Sequence, residues 1–145
     1  TINTVSMLAI EDVLDALRWV EKIGGGDGMI ARATANFLVL DEWVAKTTWV
    51  DYLARDPATR SRSSVCLRLT EDWFQALADD ERWAIVDEIT TILDREGAAY
   101  DIATHRAAAP GLRIWSGGTV EASDLVKLLP WLDWAWSEIC STYAP

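Results

Sequence analysis

The residues of this sequence that are best suited to chemistry are cationic and lie in its last third. His105 and Arg106 come before a Pro-Gly turn, and Arg113 follows between two apolar residues, Leu112 and Ile114. An arginine inside an apolar strand is costly to bury without a counter-charge, so it requires an anion from the chain or from a ligand. A guanidinium binds carboxylates and phosphates through two parallel hydrogen bonds. The pattern therefore indicates anion binding at Arg113, with an internal salt bridge as the alternative.

Other catalytic patterns find little support in the sequence. His105 is the only histidine and no nucleophile-elbow pattern accompanies it, which argues against a Ser-His-Asp hydrolase. The 23 acidic residues are too many and too dispersed to single out a catalytic pair. Cys66 and Cys140 cannot complete a zinc ligand set with one histidine, so we expect no metal site and two reduced thiols.

A glycine-rich run over 24–28 invites comparison with a phosphate-binding loop. Such a loop follows a strand and precedes a Lys-Ser/Thr pair, whereas this run follows a helical pattern and precedes Met29-Ile30. The run therefore predicts the end of one helix and a turn.

Composition and charge restrict the class of protein further. The 145 residues fit one domain, and 50% are apolar, which is typical of a globular chain with a sizeable core. The 13 basic and 23 acidic residues leave a net charge of −10, which argues against a nucleic-acid partner. The longest apolar runs span only a few residues, so we expect no membrane segment. Nine tryptophans are unusual, and we expect them mainly in the interior or in interfaces rather than stacked on a ligand.

Four stretches repeat apolar residues every three or four positions, which predicts four helices. The first two of these helices open the chain. The predicted helices are one over roughly 6–23, one that ends near Lys46, one between Asp79-Asp80 and Gly97, and one that Ser123 caps and that Pro130 kinks or divides.

Shorter segments with alternating or apolar character predict three strands, over 65–69, 98–102 and 112–115. Residues 47–62 contain Thr-Thr, Asp-Pro and Arg-Ser steps and are interpreted as an irregular connection. The order of elements indicates an α+β fold, in which two long helices precede a small, mostly antiparallel sheet of about three strands covered by helices.

Several short motifs, in this order and spacing, resemble one enzyme family. These motifs are Asn3-Thr4, Ile23-Gly24-Gly25, Thr48-Trp49-Val50-Asp51, Arg60-Ser61, and His105-Arg106 leading to Gly111-Leu112-Arg113. With them the sequence resembles, over essentially its whole length, the C-terminal part of phosphoserine aminotransferase, closest to the variety seen in alphaproteobacteria.

The resemblance implies a class V, fold-type I aminotransferase with pyridoxal phosphate, which transfers the amino group of glutamate to 3-phosphohydroxypyruvate in serine biosynthesis. In such enzymes a large domain provides the Schiff-base lysine, and none of Lys22, Lys46 and Lys127 matches its motif. We therefore expect residues 1–23 to be the linker and helix from the junction with the large domain and residues 24–145 to be the C-terminal small domain. The resemblance further implies a cytoplasmic homodimer, and we expect the fragment alone to be inactive and not to bind the cofactor.

The same resemblance assigns roles to five residues. Asn3 and Thr4 match the pair that reaches the cofactor phosphate of the neighbouring subunit, a role suited to an amide and a hydroxyl. Arg113 matches the arginine that binds the α-carboxylate of the substrate, and His105 and Arg106 match the pair near its phosphate or distal carboxylate. No catalytic residue is expected in the fragment itself.

Two other functions remain open from the sequence alone. A free-standing α+β module that binds amino acids or a protein partner, without chemistry, has the same elements and the same arginine. A class V aminotransferase relative that acts on a different amino acid also fits the motifs. The sequence does not decide among these specificities.

Overall fold

The computed structural model describes residues 6–144, which form an α+β fold. The described part begins with two helices, which short strands and further helices follow, as the sequence predicts. The elements are α1 (Met7–Lys22), α2 (Gly25–Lys46), β1 (Val50–Tyr52), a 3-10 turn (Pro57–Thr59), β2 (Ser64–Leu69), α3 (Asp72–Gln75), α4 (Asp79–Arg95), β3 (Gly111–Trp115) and α5 (Ala122–Tyr143).

The three strands form one antiparallel sheet in the order β1-β2-β3. Tyr52 pairs with Leu67, which in turn pairs with Leu112, and one step along the strands Cys66 pairs with Arg113. Because side chains alternate across a strand, this register places the leucines on one face of the sheet and Arg113 on the other. The predicted fold class, with a three-stranded antiparallel sheet and helices, is confirmed.

One face of the sheet and the long helices share a single apolar core. Leu67, Leu112 and Ile114 from the sheet are almost completely buried, and Leu40 of α2 and Leu132 of α5 belong to the same cluster. Burying such side chains stabilises the fold by about 1.5–3 kcal/mol each. The core thus fixes which face of β3 is left for other contacts.

Tryptophans make up one end of this core. Trp136 of α5 stacks on Trp49 at 5.1 Å and on Trp73 at 5.6 Å between ring centroids. The indole N–H groups of Trp43 and Trp49 both donate to the Asp133 carboxylate, at 3.2 and 3.0 Å. For these rings the expected role in packing is confirmed.

Helix ends follow the glycines closely. Gly97 has φ +68° and ends α4, where its own N–H donates to the Asp94 carbonyl and that of Ala98 to the Leu93 carbonyl. Gly24, at φ +103°, separates α1 from α2. The prediction that the whole run 24–28 is a turn was wrong, because α2 begins at Gly25. Within this first turn of α2, Gly28 lies so close to the end of α1 that a Cβ would overlap the carbonyl of Ile23.

Three further boundary predictions were wrong. Residues 50–52 form β1 inside the predicted irregular connection, because three residues are too few to show an alternating pattern. Residues 98–102 contain no strand, and only Ala103 forms an isolated bridge, with Leu112. Glu121 rather than Ser123 precedes α5. Pro130 does not divide α5, because it lies at an exposed position where water can solvate the carbonyl that loses its donor.

Candidate functional site

The face of the sheet that points away from the core is polar. It carries Ser64, Cys66 and Arg68 from β2 and Arg113 and Trp115 from β3, none of which is fully buried. We call this set the open face. Along β2 and β3 these residues alternate with buried leucine, isoleucine and valine side chains. The close-packed core therefore keeps the backbone of the open face rigid.

A cleft of about 610 Å³ begins at the edge of the open face next to β3. Arg113 and Trp115 line one side of it, and the start of α5 lines another. The segment 98–102 closes the third side, where the Arg113 N–H donates to the carbonyl of Ile102 at 2.6 Å. We refer to this space as the Arg113 cleft.

Arg113 projects into this cleft rather than into the core. Its side chain is 37% exposed, because the alternation of β3 turns Leu112 and Ile114 inward and Arg113 outward. One guanidinium nitrogen, Nη2, donates to Oδ2 of Asp101 at 3.1 Å. Both alternatives from the sequence are therefore present, an in-chain carboxylate and an accessible cleft.

Asp101 was not singled out in the sequence. It is 90% exposed and has a left-handed backbone at φ +51°, and it is the one non-glycine residue with positive φ in the described range 6–144. Asp and Asn adopt this conformation more readily than other side chains do. A single Tyr-Asp-Ile step carries no signal of that conformation, so sequence reasoning had no way to find it.

His105 and Arg106 do not line the Arg113 cleft. Arg106 instead binds both oxygens of Asp87 through Nη2, at 2.7 and 2.8 Å, and its guanidinium lies 4.4 Å from the centre of the Trp83 ring. The Nδ1 atom of His105 accepts a hydrogen bond from the Ala107 N–H at 3.1 Å. Both side chains are exposed. Asn3 and Thr4, the predicted cofactor contacts, lie outside the described residues.

The lysines show whether the described residues fit a carbonyl cofactor. Lys46 pairs with Glu42 at 2.6 Å and Lys127 with Asp124 at 3.1 Å, both on exposed helix surfaces, and Lys22 is exposed in the last turn of α1. A Schiff-base lysine requires a shielded pocket that lowers its pKa. Residues 6–144 therefore do not by themselves fit pyridoxal phosphate. Within that same range, no three His, Cys, Asp or Glu side chains are grouped to hold a metal ion.

A buried asparagine that the sequence analysis missed supports one wall of the cleft. Asn36 is only 2% exposed, and its amide donates to the carbonyls of Gly117 at 3.0 Å and Val120 at 2.9 Å. Arg32 donates to the carbonyl of Gly118 at 2.7 Å. Asn36 lies four positions before the core residue Leu40 on α2, so a buried polar role was readable from its place on the apolar side.

A second polar cluster lies at the opposite edge of the sheet. Arg68 donates to Asp51 Oδ2 at 2.6 Å. Partial burial raises the pKa of Asp51, but hydrogen bonds from Arg68 and from the Tyr52 N–H outweigh this and hold the pKa below its usual value. Burial first, and then the hydrogen bond to Asp41, raise the pKa of Tyr52 well above its usual value. Asp51 is thus paired with Arg68, and Tyr52 is paired with Asp41 of α2.

No described helix is long and apolar enough to cross a membrane. A search of protein-family profiles gives no match to the chain.

Two curated proteins are similar in sequence over nearly the whole chain. It is 42% identical over 137 residues to phosphoserine aminotransferase of Methanosarcina barkeri and 40% identical over 136 residues to that of Methanosarcina mazei. Each alignment covers 94% of this chain and 34% of the relative, in its C-terminal part. The chain thus spans about a third of the length of these relatives.

Solved structures show the same fold at lower sequence identity. Phosphoserine aminotransferase from Bacillus circulans subsp. alkalophilus superimposes with a TM-score of 0.74 at 18% identity, over 94% of this chain and 34% of that one. A structure of radiation damage of the Schiff base in phosphoserine aminotransferase gives 0.72 at 14% identity, over 94% and 35%. The resemblance to the C-terminal part of phosphoserine aminotransferase is confirmed, and its alphaproteobacterial subtype stays a prediction.

Proposed function

We propose that this chain is the C-terminal part of a phosphoserine aminotransferase, with residues 1–23 joining the large domain and residues 24–145 forming the small domain. The whole enzyme would convert glutamate and 3-phosphohydroxypyruvate into 2-oxoglutarate and phosphoserine, a step of serine biosynthesis in the cytoplasm. The observation that carries the proposal is the 42% identity over 94% of the chain to the C-terminal part of an aminotransferase of that name.

In this proposal the domain contributes substrate binding. Both substrates have a carboxylate next to the reacting carbon, and Arg113 presents a half-exposed guanidinium in a cleft large enough for them. Two parallel hydrogen bonds from the guanidinium to that carboxylate fix the position of the reacting carbon relative to the rest of the active site. The rigid core behind β3 keeps Arg113 in register for this task.

The remainder of the enzyme would contribute the cofactor site. Pyridoxal phosphate supplies an electron sink for the bond that breaks at the reacting carbon. The three lysines of this chain lie on helix surfaces, so the Schiff-base lysine belongs to the large domain and the fragment alone is inactive and does not bind the cofactor. We assign Asn3 and Thr4 to the cofactor phosphate of the neighbouring subunit in a homodimer, as the family resemblance implies.

Helix α1 supports the interpretation that a larger domain is the partner. Its apolar residues Met7, Leu8, Val13 and Leu17 are all exposed, and none of its side chains is buried in the part of the chain described. An amphipathic helix normally buries its apolar stripe against another element. The remaining two-thirds of the enzyme would cover this stripe.

His105 and Arg106 are assigned to the substrate's phosphate or distal carboxylate. Arg106 already binds Asp87 through Nη2, so this role requires it to exchange that exposed carboxylate for the ligand's anion. Exposed ion pairs contribute only about 0–1 kcal/mol, so the exchange is energetically accessible.

The experiment that tests the proposal compares arginine variants in the full-length enzyme. We expect Arg113→Ala to lower kcat/KM for both substrates by about 10- to 150-fold, which corresponds to roughly 1.5–3 kcal/mol for charge-assisted hydrogen bonds. Arg113→Lys should recover only part of the loss, because an ammonium lacks the planar fork. Arg106→Ala should raise the KM for 3-phosphohydroxypyruvate more than that for glutamate.

Arg95→Ala serves as the control, since it removes one exposed positive charge of α4 and leaves the cleft intact. Unchanged kcat/KM in Arg113→Ala would contradict the proposed carboxylate role. Turnover of a different amino donor and keto acid in preference to these two would instead favour a relative of other specificity. Carboxylate binding without any transamination by the full-length protein would favour the amino-acid-binding module.

A further inference from the structure

The carboxylate of Asp101 is the acidic partner that the described residues 6–144 offer to Arg113. It engages the guanidinium through one oxygen and one nitrogen, Oδ2 and Nη2, at 3.1 Å. A substrate carboxylate would approach the same guanidinium with two oxygens at once. Asp101 and an incoming carboxylate therefore bind the same guanidinium group.

The position of Asp101 is fixed by its neighbours on both sides. On one side the N–H groups of Ala98 and Ala99 donate to the Leu93 carbonyl at the end of α4, and on the other the Ile102 carbonyl accepts from Arg113. Between these anchors Asp101 adopts φ +51°, a conformation that costs an L-residue free energy and that persists only where the surroundings impose it. The fold thus holds a carboxylate at the edge of the Arg113 cleft.

We propose that Asp101 is a resident counter-carboxylate that competes with the substrate's α-carboxylate for Arg113 and so weakens binding of both substrates. This inference rests on the proposed function, because it requires Arg113 to bind the substrate. Asp101 can weaken substrate binding in the complex in two ways. Either the substrate displaces Asp101, or both carboxylates share the guanidinium and repel each other.

The exposure of the pair makes this competition modest in size. Asp101 is 90% exposed, so water solvates its carboxylate readily once Arg113 is withdrawn. Exposed ion pairs are worth little, and their loss changes an equilibrium by about 1.5- to fivefold. Asp101 would therefore adjust the affinity of the cleft without preventing binding.

The test uses Asp101→Asn in the full-length enzyme. Asn keeps the shape and tolerates positive φ, but it removes the negative charge. We expect the KM values for glutamate and for 3-phosphohydroxypyruvate to fall together by about 1.5- to fivefold, with kcat unchanged. Calorimetry with glutarate, which has carboxylates but no group to transfer, should show a dissociation constant lowered by the same factor.

Two further variants make the result specific. Asp101→Gly also suits the left-handed backbone and should lower both KM values in the same way, which keeps the test valid if the Asn variant folds poorly. Asp94→Asn removes a nearby exposed carboxylate of α4 that lines a neighbouring cavity but not the Arg113 cleft, and it should leave both KM values unchanged.

The outcomes separate this inference from the proposed function. If Arg113→Ala lowers kcat/KM for both substrates while Asp101→Asn leaves both KM values unchanged or raises them, the competition is overturned. A rise would instead make Asp101 a residue that positions Arg113. If Arg113→Ala leaves kcat/KM for both substrates unchanged, the carboxylate role of Arg113 fails and the competition fails with it. A parallel fall in KM and in the glutarate dissociation constant supports the inference.

Discussion

The two faces of the three-stranded sheet use the same backbone for different purposes. Along β3 the side chains of Leu112 and Ile114 are buried in the core, whereas those of Arg113 and Trp115 lie on the open face. The apolar face is closed by long helices, and the open face borders a cleft of about 610 Å³. Consecutive residues of β3 therefore serve different purposes: one packs in the core, and the next is available to bind a ligand.

This contrast predicts that stability and binding can be separated at adjacent positions. A core side chain loses packing on every side when it is truncated, whereas an exposed arginine exchanges one weak ion pair for water. The sheet can thus be stable whether or not its open face carries the residues that recognise a substrate. Substitutions that remove packing on one face, or a charge on the other, test this division directly.

The largest effect is expected for Leu112→Ala. Leu112 is completely buried, so truncation should lower the free energy of unfolding by about 2–5 kcal/mol, the range for buried leucines. Arg113→Ala, one residue along, should lower it by less than about 1 kcal/mol because its ion pair is exposed. The measurement is urea unfolding of the full-length protein, followed by tryptophan fluorescence. Equal losses in the two variants would contradict the division between the faces.

An intermediate effect is expected for Asn36→Ala, because Asn36 connects the packed side to the cleft. Its amide is the donor to the carbonyls of Gly117 and Val120, and Val120 lines the Arg113 cleft. Loss of these bonds to buried groups should lower the free energy of unfolding by about 1–3 kcal/mol. The same urea titration measures this loss.

Asn36→Leu separates the hydrogen bonds from the packing at this position. Leucine fills nearly the same volume but donates nothing, so we expect it to be as destabilising as alanine. If the Asn36→Leu variant instead regains the stability of the wild type, volume rather than the two hydrogen bonds is what the position requires.

The elements with a repeated apolar pattern were predictable from the sequence, whereas the three-residue strand β1 and the four-residue helix α3 were not. The helices α1, α4 and α5 and the strand β2 each repeat a pattern often enough for its period to be evident. Strand β1 has only three residues, whereas the segment 98–102 is apolar and lies beside β3 without forming a strand. The local pattern therefore predicted a strand at 98–102 and missed β1. Which of them pairs with the sheet is decided by tertiary contacts.

For the candidate site, the sequence indicated the residue type but not its environment. Arg113 stood out because its neighbours are apolar, but those neighbours do not reveal that its own side chain is partly exposed. Its actual partner depends on the backbone of Asp101, whose positive φ is imposed by anchors at Leu93 and Ile102. The local sequence around Arg113 does not indicate these contacts, because they form between segments that are distant along the chain.

The smallest change in the free energy of unfolding is expected for Asp51→Asn, at the edge of the sheet opposite Arg113, where Arg68 binds Asp51. The pair contributes through the carboxylate: hydrogen bonds hold the pKa of Asp51 below its usual value, although partial burial opposes this. A group whose pKa is lowered on folding stabilises the protein above its unfolded pKa of about 3.9 and loses that contribution as the pH falls through the lowered folded value. Both side chains are more than a third exposed, so solvent screening keeps the contribution below about 1 kcal/mol.

Asp51→Asn should therefore lower the free energy of unfolding by less than about 1 kcal/mol at pH 7, and this difference from wild type should shrink as the pH falls below the unfolded value of about 3.9 and the wild-type carboxyl becomes protonated as well. Urea unfolding of the full-length protein at several pH values between 2 and 7 measures this. In an Arg68→Met background the substitution should have a smaller effect at pH 7, because its hydrogen-bond partner is already gone. A difference between wild type and Asp51→Asn that stays constant down to pH 2 would assign it to the shape of the side chain. In that case the charge of the Asp51–Arg68 pair contributes nothing to folding, and the separation between a stabilising face and a binding face becomes sharper still.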